Sequence, residues 1–336
     1  MAVPTEQLCG YMQPEEEGSA RMVASLGRAP VPSLEGLPPG CVLIRTISTS
    51  ICGSDLSGMP CADCEVGEWR GFTDEMPRGG FIGNDPANDP FPKAGPPRPG
   101  GSGHELMGEV ADVVEPSKLS IGQRVLAMGT GWVMGIARTD FEARTGESVM
   151  CLADKAQGGG FLEYFVSTED ATIPVPHAVP RPGFDPLWYV AAQPFGTILK
   201  AASKLGSVLG KSVVIFGQGQ VSARRCQLPG ETLPPSRRGA APQNGLMMTA
   251  LVKSLGAKHV IALDLFQYRV DVATEMGATH AINTTEHDPL ERVQEITGGE
   301  GADICIDMAG HQGESLDLCS TMAKRGGTIL IFGLPP

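Results

Sequence analysis

Positive charge, paired cysteines and long apolar runs are all in short supply, and each shortage closes off a class of function. The 26 Lys and Arg stand against 38 Asp and Glu, a formal charge of −12. Nucleic acid and anionic lipid both need a basic face, so neither is expected as a main partner. No apolar run reaches the roughly twenty residues that a helix needs to cross a bilayer, so no membrane is expected either. The N-terminal stretch carries Glu6, Glu15, Glu16 and Glu17 around no apolar core, which fits neither a secretory signal nor an Arg-rich transit peptide. The expected location is cytoplasmic. Nine cysteines, an odd number spread over 336 residues, do not suit a disulfide framework.

What is present points to two domains, because one core rarely serves so long a chain. Residues 22–186 read as β-rich. Cys41–Ile47, Glu109–Val114, Arg124–Met128 and Leu162–Val166 are short apolar runs separated by Gly and Pro. The stretch 57–101, rich in Pro, Gly and Asp, interrupts them without any periodic pattern. Residues 187–336 change character. Ser212–Phe216 is continuously apolar, as expected of a strand covered on both faces. Helical spacing at Leu246–Leu255 follows, then alternating strand and helix patterns to Thr328–Phe332. That alternation predicts an α/β domain with a parallel sheet.

After the first of these strands comes Gly217-Gln218-Gly219-Gln220, half of a dinucleotide fingerprint. The third glycine is absent at its place, yet Asn244-Gly245 opens the next helix. With Val221–Gln243 removed, the line becomes a full G-x-G-x-x-G between strand and helix. Asp264 then ends the next strand about twenty residues on, where an acid binds the adenosine ribose. In this reading Gly217 makes the tight turn, Gly219 admits the pyrophosphate and Gly245 lets helix and strand pack closely. Asp264 takes the ribose hydroxyls and repels a 2′-phosphate, favouring NAD, with Arg269 over the same ribose; the competing reading is that Asp264 only caps the following helix. Val221–Gln243 is Pro- and Arg-rich and aperiodic. Its opening Val-Ser can be encoded by a splice-donor consensus and its closing Gln by an acceptor consensus, so a retained intron is one expectation and a surface insertion the other. An insertion in that turn would be expected to weaken NAD binding.

The first half supplies Ile51-Cys52-Gly53-Ser54-Asp55 and later Gly103-His104-Glu105. Thiolate and imidazole are good zinc ligands, although a buried cysteine and a capping histidine would look the same. The ordered set C-G-S-D, G-H-E-L-M-G-E-V, I-G-Q-R-V and G-G-F-L-E-Y-F-V, followed by the nucleotide half, resembles the zinc-containing medium-chain dehydrogenases over roughly residues 22–336. The resemblance implies a GroES-like catalytic domain (22–186) followed by a Rossmann doubly wound domain (187–336, with the insertion 221–243). It implies that Cys52 and His104 ligate one catalytic zinc with Glu105 beside it. Asp55 would hydrogen-bond His104, and Ser54 would take the alcohol proton. The substrate would be a small alcohol or its aldehyde or ketone.

The chain also departs from the pattern. The family's third zinc ligand is a Cys, or a Glu in a Glu-Pro pair, and here Gln193-Pro194 stands in that place. The four-cysteine lobe is missing, so no structural zinc is expected. A lone Cys61-x-x-Cys64 lacks a second pair. The sequence stops after the fifth Rossmann strand, which reads as a truncation, and the sixth strand through which such relatives form homo-oligomers is missing. Two alternatives stand beside the zinc-dependent, NAD-linked oxidoreductase: a zinc-free NADPH reductase on the same scaffold, and a non-catalytic product.

Overall fold

The computed structural model describes residues 3–14, 22–50, 103–127, 138–152, 159–176, 186–219, 244–309 and 314–332. Its contacts divide the chain into two units, Met1–Gln193 and Pro194–Pro336.

In the first unit, strands β1 (Glu6–Pro14) and β2 (Met22–Pro30) form an antiparallel pair. β3 (Cys41–Ser50), β4 (Glu105–Val113), β5 (Arg124–Ala127), β6 (Tyr164–Thr168) and β7 (Thr172–Pro174) make a five-stranded sheet in the order β6-β3-β4-β5-β7. β3 is apolar at successive positions because both of its faces are covered. Val42 and Ile44 pack with Cys9, Leu106, Val110 and Phe165, while Cys41 and Leu43 pack with Phe141 and Leu152. Phe141 comes from α1 (Arg138–Thr145), a polar helix that reaches the core through that one large ring. Full burial of side chains of this size contributes roughly 1.5–3 kcal/mol each, so the central strand anchors the unit.

The second unit begins with α2 (Ala192–Ala202). It continues through β8 (Ser212–Phe216), α3 (Asn244–Ser254), β9 (His259–Asp264), α4 (Gln267–Glu275), β10 (His280–Asn283), α5 (Pro289–Thr297), β11 (Ala302–Asp307), α6 (Glu314–Met322) and β12 (Ala323–Ile331). All five strands are parallel, in the order β10-β9-β8-β11-β12. Alternate residues of β8 explain the two helical layers. Val213 and Ile215 face Ile198 of α2 and Met248 and Val252 of α3, whereas Val214 faces Val293 of α5 and Cys319 and Met322 of α6. A strand buried on both sides cannot alternate polar with apolar, which is why these runs are continuous. Local signals agree: Asp288 caps α5 through the Leu290 and Glu291 N–H groups at 2.8 and 3.1 Å, with Pro289 in the first turn.

The chain leaves β8 toward β9 on one side and later returns to β11 on the other. Strand order therefore reverses between β8 and β11. Ligands of doubly wound sheets bind at the carboxyl ends of the strands flanking such a reversal.

Candidate functional site: a glycine turn in one unit and a buried His-Glu pair in the other

The C-terminal end of β8 turns at Gly217, whose φ of +92° is a left-handed value that a side chain strains to adopt. The Gly217 N–H donates to Leu263 O at 2.8 Å, tying the turn to β9. On the β11 side the Met308 N–H donates to Phe216 O at 2.9 Å. Gly245, in the first turn of α3, is held even more closely. A Cβ there would lie 2.1 Å from Gly217 O and 2.6 Å from Gln218 Cα, so no other residue fits without moving the helix. The Gly245 N–H donates to Gly219 O at 3.1 Å. The three glycines singled out from the sequence thus come together, with residues 220–243 lying between them in the chain and outside the described residues.

Asp264 ends β9, buried, and accepts from the Gln218 N–H at 2.7 Å and the Phe266 N–H at 2.9 Å. Phe266 precedes α4 and its N–H is held by Asp264 Oδ1, so the carboxylate serves the helix start as well as the turn. Arg269 of α4 approaches Asp264 Oδ2, the oxygen to which the Gln218 N–H donates, at 3.4 Å, and its guanidinium lies over the rings of Phe266 and Tyr268, 4.9 and 5.6 Å from their centroids. A Cβ on Gly219 would stand 2.6 Å from Arg269 Nη1. Gly217, Gly219, Gly245, Asp264 and Arg269 are therefore one cluster at the carboxyl end of the sheet. The bare backbone, a helix N-terminus and a fixed carboxylate suit a dinucleotide: N–H groups and the helix dipole for phosphate, an acceptor for sugar hydroxyls.

In the first unit, antiparallel pairing brings the end of β3 to the start of β4. Ser50 lies opposite Glu105, and its hydroxyl donates to Glu105 Oε2. Thr49 Oγ1 adds a bond to Glu105 O at 3.1 Å. Ser50, His104 and Glu105 are all buried. Burying a carboxylate is costly unless it is bonded or balanced by a positive charge, so this pair marks a polar site at the sheet end. An imidazole nitrogen and a carboxylate oxygen are suitable donors for zinc. Cys52, Ser54, Asp55, Cys61 and Cys64 lie outside the described residues, and no group of three or more metal-binding side chains occurs among the described ones. Gln193 is half-buried near the start of α2.

Other polar clusters do not compete with these two. A surface cavity of about 500 Å³ is lined by Pro39, Lys118, Arg144 and Glu169, among others. Its charges satisfy one another, Arg144 donating to Asp170 at 2.9 Å and lying 3.2 Å from Glu169. Burial pushes the thiols of Cys41 and Cys305 up to about 12 and that of Cys319 upward as well. Burial thus keeps these thiols protonated, which makes them poor nucleophiles. Two residues escaped the sequence reading: Ser50, which holds Glu105, and Gln218, which holds Asp264. Both act across strand pairings or turns that no linear spacing announces.

A glycine turn on a doubly wound sheet, carried with a β-rich unit that buries His104 and Glu105, is chemically suited to a dinucleotide and a metal ion. Comparison with known proteins agrees. The alcohol dehydrogenase GroES-like domain matches residues 38–177, and the zinc-binding dehydrogenase domain matches residues 245–336. Sorbitol dehydrogenase of Bacillus subtilis strain 168 is 30% identical over 300 residues, which is 88% of this chain and 68% of that protein. L-threonine 3-dehydrogenase of Chromobacterium violaceum is 27% identical over 301 residues, 88% of this chain and 70% of the relative. Among solved structures, 2R,3R-butanediol dehydrogenase from Bacillus subtilis superposes with a TM-score of 0.62 at 20% identity, over 97% of this chain and 78% of that one. A candidate zinc-binding dehydrogenase from Sinorhizobium meliloti 1021, bound to NADP, gives 0.62 at 20% identity, over 98% and 78%. The chain belongs to the zinc-containing medium-chain dehydrogenase/reductase family, of the alcohol and polyol dehydrogenase type. It is an oxidoreductase of that type, matching a zinc-binding dehydrogenase family. No helix among the described residues is long and apolar enough to cross a membrane.

Proposed function

We propose that the chain interconverts a small alcohol, a polyol foremost, with its aldehyde or ketone, using NAD and one catalytic zinc ion. The sorbitol and threonine dehydrogenases among its relatives support a hydroxyl-bearing substrate. When bound, zinc supplies Lewis acidity at the substrate oxygen and the dinucleotide supplies the hydride acceptor. The chain's own residues do the rest. Cys52 and His104 would hold the metal, with Glu105, whose Oε2 is kept in place by the Ser50 hydroxyl, next to His104 in the chain. Asp55 would fix the tautomer of His104, and Ser54 would receive the hydroxyl proton of the substrate.

The observation that carries the reading is the glycine turn with Asp264 bonded into it. A carboxylate braced by two N–H groups presents its remaining lone pairs to the ribose 2′- and 3′-hydroxyls. Its negative charge also opposes a 2′-phosphate. That favours NAD. Gln193 favours a second reading, a zinc-free NADPH reductase, because a neutral amide is a poor third ligand where the family carries Cys or Glu. The test is a fluorescence titration with NADH and NADPH, together with the zinc content of the purified chain. Tight NADH binding with about one zinc per chain supports the first reading. NADPH binding without zinc would replace it by the second, and binding of neither would leave a non-catalytic scaffold.

A further inference from the structure

The phosphate turn and α3 are joined in an unusual way. In an uninterrupted fingerprint two residues connect the second glycine to the third, so the backbone itself sets the helix against the turn. Here residues 220–244 separate Gly219 from Gly245. With about two dozen residues in between, the two-residue connection no longer dictates that placement. Something other than chain continuity must hold α3 in register with the turn.

Gln218 is placed to do so. It lies between the first two glycines and is fully buried. Its Oε1 accepts from Thr249 Oγ1 at 2.7 Å, and its Nε2 donates to Ile215 O of β8 at 3.1 Å. Its backbone N–H donates to Asp264 at 2.7 Å. Thr249, also fully buried, stands one helical turn beyond Gly245, on the same face of α3. One residue thus links the strand before the turn, the helix after it and the ribose carboxylate. An apolar side chain could fill the same volume without desolvating an amide, so the amide's contribution is orientation: its bonds admit one placement of α3.

We propose that Gln218 and Thr249 form a positioning clasp that keeps the dinucleotide turn in its binding geometry despite residues 221–243. The proposal rests on the dinucleotide-binding reading above. It makes Thr249, which touches no cofactor, a determinant of cofactor affinity, and it makes that role depend on the inserted segment.

The experiment compares Thr249→Val, which keeps shape and removes the donor, with Thr249→Ser, which restores it. Both are made in the full chain and in a chain lacking 221–243, and NADH affinity and thermal midpoint are read on each. In the full chain T249V should weaken NADH about fivefold, the equivalent of one lost hydrogen bond. T249S should recover most of that loss. In the shortened chain, where backbone continuity holds α3, the T249V effect should fall below about twofold. T249V that binds NADH as tightly as the parent, even with a lowered midpoint, would reduce the pair to core packing and overturn the clasp. An equal loss in both chains would overturn its link to the insertion. If the shortened chain fails to fold, the Val and Ser variants of the full chain still decide. A parent chain that binds neither NADH nor NADPH overturns the proposed function, and the clasp with it; NADH binding by the parent and T249V alike overturns the clasp alone.

Discussion

Replacing Gly245 by alanine is the sharpest perturbation of the turn. The added Cβ would start 2.1 Å from Gly217 O and 2.6 Å from Gln218 Cα, where ordinary contact begins near 3.4 Å. Both neighbours are backbone, so no side chain can swing aside. The start of α3 or the turn must move by about 1 Å, a displacement in the range where overpacking costs about 1–3 kcal/mol. For a unit of this size each kcal/mol lowers the melting midpoint by roughly 2–4 °C. The same shift draws the helix N-terminus and the Gly217–Gly219 amides away from the phosphates. NADH affinity should fall at least about tenfold, or 1.4 kcal/mol. Fluorescence titration gives the affinity, and scanning fluorimetry on the same sample gives the midpoint. If G245A binds NADH within twofold of the parent, Gly245 is not the third glycine of the fingerprint, and the reasoning that bridged residues 221–243 fails.

Asp264→Asn keeps an acceptor for the Gln218 N–H and removes the charge, so the ratio of NADH to NADPH affinity should drop at least about tenfold, read by parallel titrations. Gln193→Glu restores a carboxylate at the family's third-ligand position and should slow zinc loss to a chelator by about tenfold or more, followed with a metal-sensitive dye; an unchanged rate would remove residue 193 from the metal site. His280 is held below its ordinary value of 6.5 by burial, then by His259 and Arg292. Its folded form resists protonation, so the unfolded chain takes up the proton first as pH falls below 6.5. Stability contributed there is full above that pH and lost as pH drops further. The melting midpoint of H280Q should accordingly fall less between pH 7 and pH 5 than that of the parent, and equal slopes would show that His280 does not contribute.

Legibility in the sequence followed burial. β8 through β11 and the helices between them read clearly, because strands covered on both faces are continuously apolar and helices covered on one are periodic. The glycine turn was readable across the insertion because Gly217 needs a left-handed backbone and Gly245 packs against backbone too closely for any side chain. β1 was not readable, since its pattern is inverted. Gln7 and Cys9 point inward and Leu8 is half-exposed, while the buried Gln7 amide is satisfied by Pro30 O and the Tyr164 N–H. α1 hid for a related reason: among its polar residues only Phe141 enters the core. At the candidate site, spacing singled out His104, Glu105 and Asp264. It could not single out Ser50 and Thr249, because their partners lie 55 and 31 residues away and meet them only through strand pairing and helix packing.

The most direct measurement is the appearance of NADH when the purified chain is given NAD and a panel of polyols, before and after zinc is stripped with a chelator and then restored. The account predicts turnover of at least one polyol, its loss on stripping and its recovery with zinc. Turnover that survives complete removal of zinc, or that requires NADP in place of NAD, would contradict it.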